Sequence, residues 1–561
     1  MSPFFSKLIT PLIEGLFCLL FFLVPLIMTP FNYELFEYNK MMLTYGLTTI
    51  IVGLWLLKMV FEKRIIFTRT PFDIFLWLFL ASQIVSTVFS IDVHTSVFGY
   101  YSRFNGGLLS IISYVLLFHA FVSNLNQKGV RRVFIAIFSG AFLVSGYAIL
   151  EHFGIDSHLW VQDVRARVFS TLGQPNWLAG YLAVVILLLC GFISNSSSRL
   201  RLTTCYLLFA IFYLSLLYTK SRSGITGFWV ADIGFLLLAV VGFVRRAKLG
   251  NDQAQLGRRI LLVNLLFLVI SVSLAGRVSS EIFSRYFTPR GIAENAGVFT
   301  GNTPPRNLLS APTGPDDVIS DSVDIRKVVW TGALGVFRRY PIFGSGVETF
   351  GYSYYQDRPV EHNLLSEWDF LYNKAHNEYL NFLATTGVVG LGTYLLFLAA
   401  AGGWMVTKLK AQSFPPSGGT PRHGGVAKLK ATTQNSKLQK RDIITMKIAS
   451  NEAMEQCSNP FLPLAIFSAW FSILLTNFFG FSVVIQNLFL FLLPAMAYVW
   501  ETENHGVDNH GNNLSLSRHA ELDSASGRNK QILPWRDDKR QVRDDRINLF
   551  QKILIVSVLF T

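Results

Sequence analysis

The sequence predicts an all-α polytopic membrane protein with about 12 transmembrane helices and one long structured loop on the outer face. Hydrophobic residues make up 51% of the 561 residues, phenylalanine alone contributes 49, and charged residues only 15%, where a soluble domain has about 25%. The mean hydropathy is +0.40. This composition excludes a soluble enzyme, a disordered protein and a disulfide scaffold. The formal charge is +14, but the basic residues lie between apolar runs, so no nucleic-acid partner is predicted.

The transmembrane prediction comes from apolar runs, since about 20 apolar residues cross the hydrocarbon core of a bilayer. The run over residues 460–500 contains no charge and is too long for one helix, so we divide it at residues 477–480. The predicted spans are 11–30, 41–60, 72–91, 107–124, 133–153, 177–194, 202–219, 225–244, 260–276, 381–406, 460–478 and 481–500.

Basic residues predict the orientation, because short cytoplasmic loops are enriched in Lys and Arg. The loops 61–70, 125–132, 195–201 and 245–259 are rich in these residues and alternate along the chain. All four are therefore expected on the cytoplasmic side, together with both chain termini.

The chain divides into seven predicted regions. Residues 1–276 hold helices 1–9, 381–406 form helix 10, and 460–500 form helices 11 and 12. The four remaining regions are a long outer-face loop 277–380, a disordered basic cytoplasmic loop 407–459, a hydrophilic cytoplasmic tail 501–548 and an apolar end 549–561. The segment 549–561 is too short to span a membrane, so it is expected to be either an interfacial segment or the start of a truncated helix, and we favour truncation before a further helix.

The loop 277–380 is expected to carry the chemistry, since long ordered loops are usually functional. His376 lies about five residues before the next span, at the predicted boundary between membrane and water. A histidine there can act as a general base toward a hydroxyl. Asn377 and Glu378 are expected to orient its ring. The alternative is an ordinary surface histidine.

Arginines form the second predicted element of the site. Arg222 lies in a very short outer turn, and Arg326 lies four residues before Trp330, on the same face if that segment is helical. Guanidinium groups bind phosphate oxygens and remain charged, which suits a lipid-linked diphosphate. The alternative for Arg222 is snorkelling to lipid headgroups. Further candidates for substrate contacts on the same face are Arg103, Arg167 and Asn176.

No cofactor or metal is predicted. The four cysteines, Cys18, Cys190, Cys205 and Cys457, show no metal-binding or disulfide spacing. The sequence also contains no Walker loop, HExxH or Asp-x-Asp motif.

Several of these segments resemble the O-antigen ligase and O-antigen polymerase family. The resemblance covers roughly residues 90–500, and the His-Asn-Glu-Tyr-Leu segment is its most specific part. The segments that carry it are Phe169-x5-Pro175-Asn-Trp-Leu-Ala179, Ser221-Arg-Ser-Gly224, Arg326-x3-Trp330, Pro341-Ile-Phe-Gly-Ser-Gly346 and His376-Asn-Glu-Tyr-Leu380.

This resemblance implies a metal-independent membrane glycosyltransferase of the GT-C type in the bacterial cytoplasmic (inner) membrane. The implied donor is a glycan on undecaprenyl diphosphate, and the acceptor is a hydroxyl of lipid A–core, a glycan or a protein. His376, with Glu378, would be catalytic, and Arg222 and Arg326 would bind the diphosphate. Arg103, Arg167, Asn176, Trp330 and Asn377 remain candidates for substrate contacts, and membrane lipid is the remaining partner.

Three alternatives stay open. Twelve spans with both termini inside also suit a transporter, although the sequence shows no repeat between its halves and its functional-looking residues lie on one face. A peptidoglycan polymerase of the shape-and-division type is disfavoured by the His-Asn-Glu-Tyr-Leu segment. A protein O-oligosaccharyltransferase would belong to the same family. The sugar and the acceptor are not readable from the sequence.

Overall fold

The computed structural model describes residues 2–31, 34–195, 199–246, 262–263, 266–267, 322–413 and 461–504. The following predictions lie wholly or almost wholly outside these residues: the span 260–276, the first part of the long loop up to residue 321, the cytoplasmic loop from 414, the tail from 505 and the apolar end 549–561.

All regular elements within the described ranges are helices, which confirms the all-α prediction. Two are short 3-10 helices, Ser170–Leu172 and Val360–Leu364. The α-helices are α1 Ser2–Leu23, α2 Glu37–Glu62, α3 Asp73–Val88, α4 Val93–Phe98, α5 Leu108–Asn124, α6 Gln127–His152, α7 Pro175–Asn195, α8 Arg199–Tyr218, α9 Arg222–Arg246, α10 Ser322–Arg339, α11 Phe350–Asp357, α12 Glu378–Ser413, α13 Leu462–Phe478 and α14 Val484–Asn504.

Seven of these helices (α2, α6, α7, α8, α9, α12 and α14) are long and apolar enough to cross a membrane. The predicted spans in α1, α3, α5 and α13 contain shorter apolar helices of 16 or 17 residues. At 1.5 Å per residue, 16 residues rise only about 24 Å, less than the hydrocarbon thickness of about 30 Å. The chain is therefore a multi-helix membrane protein, and the described part supports seven full-length spans.

The helices α7 and α14 lie at the centre of the bundle. In each of them, 89% of the 18-residue stretch that is most apolar is buried inside the protein. Glycines let α7 approach its neighbours closely. A Cβ added at Gly191 would lie 2.7 Å from the Ala465 Cβ of α13, and one at Gly224 would lie 2.3 Å from the Ala179 Cβ. Small residues at such crossings allow the backbone contact that drives helix association in lipid.

The charge-free run 460–500 is divided between α13 and α14, as the sequence predicts. The chain turns over residues 479–483. Asn477 closes this turn, because its Nδ2 donates to Ser482 Oγ at 2.9 Å. The turn carries Phe481 to the functional site described below.

The helix α12 is broken at Gly387, whose φ of 65° and ψ of −168° are not helical. A loop over residues 341–346 fills the break. The Val388 N–H donates to the Pro341 carbonyl oxygen at 3.0 Å, and the Gly346 N–H donates to the Thr385 carbonyl oxygen at 2.9 Å. Backbone groups released by the break are thus satisfied by the Pro-Ile-Phe-Gly-Ser-Gly motif, as a buried broken helix requires.

The described part of the predicted outer loop, residues 322–377, is folded around a small apolar core of its own. Ile325, Val329 and Val336 of α10 pack with Phe350 and Tyr354 of α11. The chain before His376 is therefore held in place in two ways. Residues 322–377 have their own apolar core, and residues 341–346 are hydrogen-bonded to the break in α12.

Candidate functional site

The backbone at His376 has a left-handed conformation, with φ of 51°. This residue lies near the end of the segment 322–377, two positions before α12 begins, and its imidazole lies between two aromatic rings. The ring centroid is 5.5 Å from that of Tyr372 and 5.4 Å from that of Phe481. Phe481 comes from the turn between α13 and α14, so the site joins the outer segment to the end of the helix bundle.

The electrostatic surroundings of His376 keep its imidazole neutral. Burial, followed by the positive charges of Arg326 and Arg103, lowers its pKa from 6.5 to about 4. A neutral imidazole can accept a proton at physiological pH. Arg103 and Arg326 are therefore close enough to His376 for their charges to affect its protonation.

Arg103 contacts two aromatic rings near His376. Its guanidinium lies over the ring of Trp177, at 5.1 Å, and over that of Phe481, at 5.8 Å. These cation–π contacts partly compensate its charge. However, Nε and Nη1 are buried and donate to no hydrogen-bond acceptor among the described residues. Such orphaned donors are expected where a ligand completes the site.

Arg326 and Trp330 lie on one helix, α10, as the sequence predicts for a helical segment. The Arg326 charge acts on both Tyr372 and His376. The Trp330 ring packs against Phe478 at 6.0 Å, while its indole N–H is buried without a hydrogen-bond partner among the described residues. One face of α10 thus presents a cation and an unused donor toward the end of α13.

A second group forms around Asn176 at the start of α7. Its Oδ1 accepts from Arg167 Nη2 at 3.4 Å and from Ser221 Oγ at 2.7 Å. Arg167 also donates through Nε to the Thr219 carbonyl oxygen at 3.1 Å. Burial and then the neighbouring Arg222 charge lower the pKa of Arg167, so two like charges lie near each other.

Asn176 and Trp177 connect the two groups because they are consecutive in the chain. Asn176 holds Arg167, whereas the Trp177 ring supports Arg103 and lies 6.2 Å from the Phe481 ring. The structure therefore brings the predicted residues of the first half of the chain beside those of the second half.

Asn377 immediately precedes the helix α12. Its Oδ1 accepts the Leu380 N–H at 3.0 Å, at the third position of α12, which is the geometry of a helix N-cap. The rings of Tyr372 and Phe481 flank the imidazole. Glu378 follows in the first turn of α12, and its Oε2 is buried without a hydrogen-bond partner in the described part.

Three residues near the site were not predicted. Glu348 forms an ion pair with Lys374, and the Lys374 ammonium lies 5.8 Å from the centre of the Phe481 ring. Lys374 was visible as a charge two residues from His376. Glu348 lies two residues after Gly346 of the glycine motif, and nothing in its local sequence distinguishes it. Phe481 gave no signal, because it lies in an apolar run.

Within the ranges that the structure describes, no group of three or more His, Cys, Asp or Glu side chains is arranged to hold a metal ion. The charged groups around His376 are arginine, lysine and carboxylate side chains.

A family model described as O-antigen ligase matches residues 205–395. No curated protein matches the chain. The matched range is shorter than the 90–500 that the motifs suggest, but it contains Arg222, Arg326, Trp330, His376 and Glu378. Arg103, Arg167 and Asn176 lie before it, and Phe481 lies after it. The match confirms the resemblance drawn from the motifs: over residues 205–395, this multi-helix membrane protein is similar to the O-antigen ligase family.

Proposed function

We propose that this protein transfers a glycan from a polyprenyl diphosphate, of the undecaprenyl type, to an acceptor hydroxyl at the outer face of the bacterial cytoplasmic membrane. The observation that carries the proposal is the neutral His376 imidazole held beside Arg326 and the unpartnered Arg103. A proton acceptor next to positive charge is what this reaction needs, because the acceptor loses a proton while the diphosphate gains negative charge.

His376 takes the acceptor hydroxyl proton as the oxygen forms its bond to the anomeric carbon. The bond from that carbon to the diphosphate oxygen breaks, and its electron pair leaves with the polyprenyl diphosphate, so the anomeric configuration inverts. Arg222 and Arg326 bind the diphosphate, whose leaving charge they stabilise, and the proposal requires no metal ion or cofactor. The loss of one positioned charge donor costs roughly 10²–10³ in rate.

Substrate binding also adjusts the base. The positive charges of Arg326 and Arg103 are among the causes of the low His376 pKa. A bound diphosphate compensates positive charge in the site, which raises the pKa of His376 and makes the imidazole a stronger base. The base is thus strengthened when the donor is in place.

The remaining predicted residues receive supporting roles. Arg103, Arg167, Asn176 and Trp330 contact the substrate, consistent with the unpartnered nitrogens of Arg103 and Trp330. Glu378 acts with His376, while Asn377 caps α12. We also propose the full arrangement of about 12 spans, of the GT-C type, with the basic loops inside and the segment 322–377 outside.

The proposal is tested with purified full-length protein in lipid nanodiscs and a synthetic polyprenyl-diphosphate oligosaccharide. Lipid A–core, glycan and peptide acceptors are supplied one at a time, and release of polyprenyl diphosphate is followed. We expect release with one acceptor class, which also identifies the acceptor.

The matched variants are Arg326→Gln and Arg338→Gln, which each remove one positive charge from α10. Arg338 is exposed, so its loss should leave turnover unchanged, whereas Arg326→Gln should lower it by about 10²–10³. Equal turnover in the two variants, or no release with any acceptor from folded wild-type protein, would overturn the proposal. In the second case, saturable uptake of a solute would favour a transporter.

A further inference from the structure

An exposed apolar surface surrounds the place where the loop 341–346 enters the break in α12. Its side chains are between 44% and 69% exposed. We call this surface the Ile342 patch, and it consists of Val88, Phe89, Ile91, Ile342 and Val388. None of the roles proposed above uses these side chains.

Direct contacts join the chain segments that form the Ile342 patch. The Phe89 ring, which directly follows α3, stacks on the Phe343 ring of the loop at 5.2 Å. On the other side of the loop, the Val389 N–H of α12 donates to the Ile342 carbonyl oxygen at 3.2 Å. The five exposed side chains therefore belong to one continuous surface and are not scattered over the protein.

The Ile342 patch continues the exposed apolar sides of two neighbouring helices. The helices α3 and α12 pack side by side, since Ser82 Oγ and Thr393 Oγ1 are 2.8 Å apart. The exposed side of α3 follows helical spacing and leads to Val88, and that of α12 leads to Val388. The exposed apolar residues are Ile74, Trp77, Leu78 and Ile84 on α3, and Leu395 and Leu396 on α12.

The lengths of both helices place the Ile342 patch within the thickness of a bilayer. The Phe72 and Trp404 rings are 5.9 Å apart and mark one level at the ends of α3 and α12. Arg69 and Lys408 lie just beyond this level, as basic residues do at a membrane edge. From there α3 runs for 16 residues, and Val388 lies 16 residues before Trp404. Each path rises only about 24 Å, so roughly 6 Å of hydrocarbon extend past the ends of both paths.

The loop is suited to this depth because its backbone is hydrogen-bonded to the protein. Non-helical backbone at membrane depth is tolerated only where such bonds satisfy it. The carbonyl oxygens of Pro341 and Ile342 accept from α12, and proline has no N–H to satisfy. The Ser345 N–H donates to the Ala384 carbonyl oxygen at 3.1 Å, and the Ser345 carbonyl oxygen accepts from the Ile91 N–H at 2.9 Å. These polar groups are therefore paired, while the loop turns the apolar Ile342 side chain outward.

We propose that the Ile342 patch is embedded in the outer leaflet of the membrane, where it contacts the acyl chains of phospholipids. The part of the loop 341–346 that carries Ile342 then enters the bilayer as a re-entrant segment, and it anchors the outer segment in the membrane. A water-exposed patch is disfavoured, because adjoining large apolar side chains rarely face water together. The lipid contact does not depend on the transfer reaction, and only the choice of leaflet rests on the orientation proposed above.

The contact is measured by fluorescence quenching on the full-length protein in vesicles of phosphatidylcholine and phosphatidylglycerol. The native cysteines are replaced by alanine, and Ile342→Cys is labelled with bimane. Two quenchers are compared, namely phosphatidylcholine brominated on its acyl chains and iodide in the water. We expect the brominated lipid to quench this label at least threefold more than a label on Val360→Cys, and iodide to quench it at least threefold less.

The two controls define the limits of the measurement. Val360→Cys, 77% exposed in the outer segment, reports on water, and Leu395→Cys, 44% exposed on α12, reports on lipid. Val88→Cys is a second probe of the Ile342 patch, for use if Ile342→Cys does not fold. We expect Ile342→Cys and Val88→Cys to resemble Leu395→Cys with both quenchers.

Two results would overturn the proposal. Quenching of the patch labels by iodide to the same extent as in Val360→Cys would place the patch in water. Protection from both quenchers would show that another protein surface, such as a second copy of the chain, covers the patch. Release of polyprenyl diphosphate is measured separately, so a failure of the transfer reaction would leave the lipid contact standing, and the reverse also holds.

Discussion

At the scale of single residues, the pKa of His376 determines whether its imidazole can act as the proposed base. Burial disfavours the imidazolium most, the charges of Arg326 and Arg103 add to this effect, and the pKa lies near 4. The same guanidinium groups are attractive to a diphosphate. In the proposed reaction, these charges help to keep the base unprotonated before the donor arrives and stabilise the leaving group afterwards.

Removal of the Arg103 charge should change the pH dependence of the reaction. The base works in its neutral form, so kcat/KM falls as pH drops below the pKa of His376 in the free enzyme. In Arg103→Gln, the imidazolium is less repelled, so the pKa should rise from about 4 toward 6.5 and the acid limb should move to higher pH. The measurement is kcat/KM between pH 4 and 8.

The control for this profile is Arg338→Gln, which removes an exposed charge on α10. It should leave the acid limb at the wild-type position. An acid limb that is the same in all three proteins would show that Arg103 does not set the protonation of the base.

Asn377 offers a second prediction at the scale of one side chain. Because its Oδ1 caps α12, Asn377→Ala should lower the free energy of unfolding by about 1 kcal/mol, whereas Asn377→Ser retains a good cap. Thermal unfolding in detergent distinguishes the two variants. A drop in turnover in Asn377→Ser without any loss of stability would instead indicate a substrate contact.

The break in α12 governs the site at the level of elements. Because the helix is interrupted at Gly387, the loop 341–346 can dock into it through the backbone, and this docking places Glu348 beside Lys374. A continuous helix would leave no carbonyl or N–H group for this loop, and the outer segment would lose its attachment.

Gly387→Ala should therefore be strongly destabilising. Its φ is 65°, and an added Cβ would lie 2.2 Å from the Ile342 carbonyl oxygen, so we expect a loss of at least about 1–3 kcal/mol with reduced turnover. The matched control is Gly392→Ala in the same helix, where nothing lies within 4 Å, and where the change should be neutral or stabilising by up to about 1 kcal/mol. Similar unfolding temperatures in the two variants would contradict the docking account.

In this protein, the sequence predicts the helices well and the contacts between distant parts of the chain poorly. Apolar runs indicate the helices, because the hydrophobicity of a run is enough to predict that it is removed from water. Arg326 and His376 could be selected because each lies in a local motif. The contact of Arg103 with Phe481 could not be found this way, since it joins residues 378 positions apart through packing of several helices. Glu348 was missed because its meaning depends on Lys374 and Gly106, which are distant in the chain.

At the scale of the whole molecule, the account requires the site to face the outer side of the membrane. Arg326, Glu348 and His376 all belong to the folded segment 322–377. The basic loops predict that the opposite side of the membrane is cytoplasmic. The donor can then be used only where its glycan is displayed outside.

This orientation is tested by labelling introduced cysteines in intact spheroplasts with a membrane-impermeant maleimide. The native cysteines are first replaced by alanine. Val360→Cys, in the outer segment and 77% exposed, should be labelled, whereas Arg64→Cys, in the loop 61–70, should be labelled only after the membrane is opened. The reverse pattern would invert the proposed topology.

The most direct test of the central claim, that His376 is the base, is acceptor-dependent release of polyprenyl diphosphate by wild-type protein and His376→Asn. Asparagine tolerates the left-handed backbone at this position but cannot take the proton at neutral pH. With donor saturating, we predict a fall in kcat of about 10²–10⁴, with donor binding retained. Turnover within a fewfold of wild type from the folded variant would contradict the account.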